Sequence, residues 1–222
     1  MDGNRRWAQK QGMAPWNGHR KGIEPIKTAV EFCLKKQIPY LSLYTFSLEN
    51  LKRPQEELDY LFNMLAQEMT NEKLNELYQQ GIKVRFVGDQ SAFPDKLRAT
   101  INDITERTAS GDKLTLNILF CYGGQQEIVN ATKKIVAAIQ NGSLNVENIT
   151  PETFNHYTWL GDQPHPDLII RTANVKRLSN FLTFQSAYSE LLFLECYWPD
   201  MTEKDFEKAL NEFYSRKRSF GV

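Results

Sequence analysis

The sequence is short of every feature that would hold a chain together from outside its own core. Only three cysteines, Cys33, Cys121 and Cys196, occur in 222 residues. They are widely spaced with no C-x-x-C pair, which argues against a disulfide framework or a structural zinc module and fits a reducing cytosol. No apolar run approaches the roughly 18–20 residues of a membrane span, and no stretch has the make-up of a signal peptide. Charge of one sign is missing too: 27 Lys and Arg stand against 27 Asp and Glu. No overall field therefore favours nucleic acid, and any anion site has to be built by local clustering of arginines. There is no G-x-G-x-x-G and no P-loop, so a dinucleotide or nucleoside triphosphate site has no support. Repeats, low-complexity segments and linkers are also lacking. What is present is enough chain, residues 1–222, for one domain with its own core.

Apolar residues recur at helical spacing from Gly22 to Lys36, Glu57 to Gln80, Pro94 to Thr108, Gln125 to Gln140 and Thr202 to Tyr214. A shorter helix is predicted over Pro151 to Trp159, and a helix-like segment runs toward Ala187. Between them lie short strand-like runs, Tyr40 to Phe46, Lys83 to Val87, Leu114 to Phe120 and Leu168 to Ile170. This alternation predicts an α/β fold: a single domain with a mainly parallel central β-sheet flanked by helices. Its polar loops gather beyond the strand C-termini, where such sheets bind ligands. The stripe Leu58, Leu61, Phe62, Leu65, Met69, Leu74, Leu77 and Tyr78 is denser than one sheet-facing side requires. Core packing is the default reading, and a cavity wall the alternative.

The chemistry-bearing residues begin at once. Asp2 offers a hard oxygen of the kind Mg²⁺ takes, Gly3 lets backbone approach a ligand, and Asn4 can cap a helix whose first amides point outward. Such a start favours anions, and Arg6 adds a forked donor for phosphate. Alone, D-G-N reads as well as an ordinary capped surface helix. The loop after the first strand holds Ser47, Glu49, Asn50 and Arg53. Arg171, Arg177 and Ser179, after the fourth strand, form a second candidate anion site suited to a diphosphate. Glu190 is a carboxylate inside the apolar run AYSELLFLE, and buried carboxylates are uncommon unless paired or metal-bound.

Asp2-Gly3-Asn4, Arg6-Trp7-Ala8, Gly18-His19, Ser47 to Pro54, Tyr122-Gly123-Gly124, Arg171-Thr172, Arg177-x-Ser179-Asn180-Phe181-Leu182, Gln185, Ala187-Tyr188, Glu190 and Trp198-Pro199-Asp200 together form a pattern. It resembles the cis-prenyltransferases of the undecaprenyl diphosphate synthase type, in that family's order over nearly the whole chain. The resemblance implies a Mg²⁺-dependent cytoplasmic enzyme that adds isopentenyl diphosphate repeatedly, with cis double bonds, to an allylic diphosphate such as farnesyl diphosphate. It also implies an apolar tunnel, a homodimer, delivery of a long hydrocarbon product to the membrane, and no nucleic acid partner. By residue, it assigns Asp2 to the metal and to catalysis, with Glu190 completing the metal site across a dimer. Gly3, Asn4, Arg5, Arg6, Trp7 and His19 fall to the allylic diphosphate, and Arg171, Arg177 and Ser179 to isopentenyl diphosphate. Ser47, Glu49, Asn50 and Arg53 sit between the two, with Asn50 assisting proton removal. The expected tunnel walls are the Leu58 to Met69 stripe and the Leu114 to Phe120 strand, and a strand upstream of Met1 is expected as well. The pattern departs from the family at Pro15, Leu51, Cys121, Gln125, Ser219 and above all Ala173-Asn174-Val175, where Gly-Gly-Glu is usual. A catalytically weak binding or regulatory subunit is the alternative these departures allow.

Overall fold

The computed structural model describes residues 1–68 and 71–217, side chains 71–74 excepted. Met69, the Leu74 side chain and Ser219, all named above, lie outside the described residues. Helices α1 (Asn4–Lys10), α2 (Asn17–Lys21) and α3 (Ile23–Lys35) precede strand β1 (Tyr40–Ser47). Next come α4 (Gln55–Glu68), α5 (Asn71–Gln79), β2 (Ile82–Val87), α6 (Asp95–Arg107), β3 (Leu114–Tyr122) and α7 (Gly124–Gln140). The chain finishes with α8 (Pro151–His156), β4 (Leu168–Arg171), β5 (Glu190–Phe193) and α9 (Glu203–Ser215). No helix among the described residues is long and apolar enough to cross a membrane.

All strand pairs are parallel, as the alternation predicts, but the described strands form two sheets rather than one: β1-β3-β2, and β4 with β5. The middle strand β3 reads LTLNILFCY, the near-continuous apolar run that a parallel strand covered on both faces requires. Its one amide, Asn117, is 1% exposed and satisfied by Ser42 Oγ at 3.1 Å and a reciprocal pair of bonds with Gln163. One core cluster sets Ala29, Val30 and Phe32 of α3 against Leu43, Val84 and Leu116 of the sheet and Phe206 of α9. A second joins Leu58, Leu61 and Phe62 of α4 and Leu97 and Ile101 of α6 to Phe46 and Phe120.

The Glu57 to Gln80 stripe is helical as predicted, in α4 to Glu68 and in α5 from Asn71, with residues 69 and 70 outside the described residues. Three other predictions differ from the observed chain. The segment toward Ala187 is a run of turns: Ser179, Asn180 and Leu182 have φ of 50°, 65° and 42°, which a right-handed helix cannot contain. Glu190 opens a strand, β5, too short at four residues to show alternation. The Ser47 to Pro54 loop is a 3₁₀ turn, Leu48–Lys52, closed by a capping box between Ser47 and Asn50. The last change reorients functional residues, because a side chain spent on the cap points where the turn directs it.

The irregular stretch before β5 is anchored by a buried carboxylate on α7. Glu127 is fully buried and accepts hydrogen bonds from Tyr122 Oη at 2.5 Å, Gln185 Nε2 at 3.0 Å and the Trp159 N–H at 2.9 Å. Burial first, and then the Glu127 charge, push the Tyr122 phenol upward, so the phenol keeps its proton and donates. Glu127→Ala strands those donors at about 1–3 kcal/mol apiece. Urea denaturation should show a loss of about 3 kcal/mol or more, and a loss under about 1 kcal/mol would contradict the anchoring role.

Candidate functional site

At the front of α1 the chain is held by its backbone. The Asp2 N–H donates to Thr172 Oγ1 at 3.0 Å, while the Asp2 carbonyl accepts from Thr172 Oγ1 at 2.7 Å and from the Trp198 N–H at 3.0 Å. Gly3, not Asn4, occupies the cap position, because its φ of 102° is one that glycine alone adopts at little cost. A Cβ there would also lie 2.6 Å from the Tyr197 ring. The prediction that Asn4 caps the helix is therefore corrected: Asn4 is the first helical residue, buried, with its Nδ2 on the Met1 carbonyl at 3.3 Å.

With the backbone fixed, the Asp2 carboxylate gathers two arginines. Oδ2 accepts from Arg171 at 3.0 Å; Oδ1 accepts from the Gly3 N–H at 2.7 Å and Arg6 at 3.4 Å. Arg6 also reaches the Ala173 carbonyl at 3.3 Å and lies over the Tyr197 ring. Arg171 continues the network to Ser179 Oγ at 3.0 Å and the Arg177 carbonyl, and Arg177 Nε donates to the same hydroxyl at 3.1 Å. Burial by itself would raise the Asp2 carboxyl, but the Arg171 bond and charge, the Gly3 N–H and Arg6 outweigh it and hold it below the ordinary value. Asp2 is thus anionic and available to a cation.

A second cluster forms around Glu57, which is 4% exposed and pairs with Arg53 at 3.1 Å and Arg5 at 3.5 Å. Both clusters leave positive charge in excess. Two arginines pair with Asp2, a third, Arg177, joins them through Ser179, and two pair with Glu57, the imbalance that a diphosphate would neutralise. They border one cavity of about 1160 Å³, whose lining includes Asp2, Asn4, His19, Ser47, Asn50, Arg53, Arg171, Arg177 and Ser179. Its apolar lining includes Val30, Leu43, Leu61, Phe62, Leu65, Leu116 and Phe120, drawn from α3, α4 and the sheet. β1 and β4 run along the same cavity.

Not every expected residue joins the site. The Trp7 indole donates to Asp200 at 2.7 Å and is not among the cavity-lining residues. Glu190 sits at the N-terminal end of β5, in register with Leu168, whereas Arg171 pairs with Phe193 three residues on, about 10 Å along the strand. Its carboxylate is bonded to Arg216 at 2.8 Å. Within one chain Glu190 and Asp2 therefore stand apart, and no group of three His, Cys, Asp or Glu among the described residues could hold a metal by itself. Asn50 spends Oδ1 on the Ser47 N–H at 3.1 Å, and Glu49 accepts from Asn180 at 2.8 Å. The sequence reading missed Glu57, Tyr197 and the role of Thr172. Glu57 had one signal, its place four residues beyond Arg53 on a helix; Tyr197 had none.

The Ala173-Asn174-Val175 departure leaves the backbone in place. Ala173 and Asn174 take left-handed φ of 70° and 51°, which glycine would adopt without strain. Their N–H groups still bond to the Cys196 and Leu194 carbonyls, each at 2.7 Å.

A cavity edged by two arginine clusters and a fixed carboxylate has the charge and the apolar walls that phosphorylated, largely apolar molecules require, and the comparisons name the class. Residues 1–221 match the family described as "Putative undecaprenyl diphosphate synthase". The chain belongs to that family and is a prenyltransferase. It is 42% identical over 221 residues to an isoprenyl transferase of Thermotoga maritima, covering 100% of this chain and 94% of that one. It is 39% identical over 222 residues to a Methanopyrus kandleri tritrans,polycis-undecaprenyl-diphosphate synthase (geranylgeranyl-diphosphate specific), covering 100% of this chain and 82% of that one. Lavandulyl diphosphate synthase from Lavandula x intermedia, crystallised with dimethylallyl diphosphate, superposes with a TM-score of 0.95 at 28% identity. That match covers 100% of this chain and 95% of that one.

His19 gives a direct test of the site's electrostatics. Burial above all, then Arg53 and Arg5, lower its imidazole from 6.5 to about 4. Between those values the unfolded chain binds a proton that the folded chain refuses. Stability is therefore lost as pH falls from 6.5 toward 4 and is unaffected by this group above 6.5. An NMR titration should find the His19 midpoint near 4 and see it rise when pyrophosphate neutralises the arginines. A midpoint near 6.5 in the free protein would contradict the buried, cation-flanked placement.

Proposed function

We propose that the chain condenses isopentenyl diphosphate repeatedly onto an allylic diphosphate, with farnesyl diphosphate as primer and a long-chain, undecaprenyl-type diphosphate as product. The observation that carries this reading is that Asp2, Arg171, Arg177 and Ser179 form one hydrogen-bonded group on a cavity that continues into apolar walls. Two substrates held side by side need two anion sites. The Arg5, Arg53, His19 side suits the allylic diphosphate together with Asn4 and Arg6, and the Arg171, Arg177, Ser179 side suits isopentenyl diphosphate.

The chemistry asks little covalent help from the protein. When the allylic C–O bond breaks, charge develops on the departing diphosphate, and pre-placed guanidinium groups stabilise it without moving. The proton lost from isopentenyl carbon as the new bond forms passes to the departing diphosphate, with Asn50, which lines the same cavity, assisting its removal. The apolar lining contributes roughly 4 kcal/mol of burial for each five-carbon unit added, at about 0.8 kcal/mol per CH₂, so chain growth is favoured as long as walls remain.

The donor set fits Mg²⁺. Asp2 supplies one ionised carboxylate, and that ion is ordinarily bound through one or two carboxylates with substrate phosphate oxygens and water completing its shell. Bound there, Mg²⁺ supplies charge neutralisation of the leaving diphosphate. Glu190, placed apart from Asp2 in one chain, contributes to a metal site only from a second copy of the chain, so this assignment goes with a homodimer. Release of the product into a membrane surface follows from its hydrocarbon character.

Incubation with Mg²⁺, farnesyl diphosphate and labelled isopentenyl diphosphate should yield elongated apolar product, whereas binding of both substrates without incorporation would point to a regulatory subunit instead. Asp2→Asn should keep the fold and lower kcat by at least about a hundredfold. Near-normal turnover would remove Asp2 from the metal role.

A further inference from the structure

The segment that carries Arg177 and Ser179 has no helix or strand to hold it, and Ser179 and Asn180 both adopt left-handed backbone. Non-glycine residues keep such a conformation only where their surroundings over-determine it. Asn180 is where that determination is concentrated. Its Nδ2 donates to Glu49 Oε1 at 2.8 Å and Gln126 Oε1 at 2.9 Å, its Oδ1 accepts the Gln125 N–H at 2.7 Å, and its carbonyl accepts the Gly124 N–H at 2.8 Å. The amide has one orientation, since the reverse would set Oδ1 against the Glu49 carboxylate and Nδ2 against the Gln125 N–H. α7 begins after Gly123, which has no side chain to cap it, so Asn180 caps that helix from a distant part of the chain.

We propose that Asn180 is a positioning residue for the reaction, locking the Arg177–Ser179 loop to the Glu49–Arg53 turn and so fixing the distance between the two diphosphate sites. This rests on the functional reading given above. Ser179 is the hydroxyl shared by Arg171 and Arg177, and its Cα lies one peptide, about 3.8 Å, from that of Asn180. Glu49 stands one residue before Asn50 in the 3₁₀ turn that ends next to Arg53. Its carboxyl is pushed up by burial and pulled down further by its own backbone, Asn180 and Ser47, so it stays ionised as the acceptor. Loss of the clasp frees the isopentenyl half of the site and leaves the Asp2 clamp on Thr172 and Trp198 untouched.

The test is steady-state kinetics with each diphosphate varied in turn, together with calorimetric binding of each alone. Asn180→Ala should raise KM for isopentenyl diphosphate about tenfold or more, with KM for the allylic diphosphate within about twofold. Asn180→Asp keeps the acceptor for Gln125 but sets a carboxylate against Glu49, and should show the same defect. Asn180→Asp with Glu49→Gln reverses donor and acceptor and should recover most of the isopentenyl affinity. Should Asn180→Ala not fold, Asn180→Gly suits the left-handed backbone and carries the same readout. An unchanged isopentenyl KM, an equal rise for both substrates, or no recovery in the double variant overturns the proposal. Wild-type protein that binds neither diphosphate overturns the functional reading, and this inference with it.

Discussion

Arginines can be packed around one cavity only where carboxylates and carbonyls keep them from driving each other apart, and Asp2 is the carboxylate on which this arrangement turns. Its backbone is bonded to Thr172 and Trp198, and its side chain to Gly3, Arg6 and Arg171. One residue thereby ties the start of α1 to the end of β4 and the turn before α9. Because the backbone clamp does not use the carboxylate, the side chain can change partners without loosening the fold. Glu57 does the equivalent work for Arg5 and Arg53, but from a buried position where its charge is spent entirely on structure.

The same division separates residues that touch a substrate from those that aim them. Glu127 is buried with three donors and, among the described residues, no paired cation, and it steadies the turns between β4 and β5 from α7. Asn180 joins those turns to the α7 N-terminus and to Glu49. Both act on a stretch without helix or strand, where side-chain hydrogen bonds to buried or shared partners supplement the burial of Val175 and Leu182. The strained Ala173 and Asn174 fit this picture. Their N–H bonds to the Leu194 and Cys196 carbonyls just beyond β5 hold a backbone that glycine would adopt freely.

Much of the fold could be read from periodicity. The α3, α6, α7 and α9 stripes and the β1, β2 and β3 runs all lie within a few residues of their predicted bounds, since each buries an apolar face or strand whose pattern is local. β5 and the turns before it were missed because four residues show no period, and left-handed serine and asparagine leave no mark in composition. Among site residues, Arg171, Arg177, Ser179 and Asp2 do converge, whereas Trp7 turns to Asp200 and Glu190 to Arg216.

The sequence alone determined the α/β alternation, the absence of any general charge field, and the list of groups able to hold diphosphate, because these depend on residue type and local spacing. Only the tertiary structure decided which of those groups meet. Asp2 and Arg171 are 169 residues apart, and Asn180 and Glu49 are 131 apart. No local pattern specifies such contacts, which exist because parallel strands bring their C-terminal ends to one edge and the turns beyond them have to find hydrogen-bond partners there.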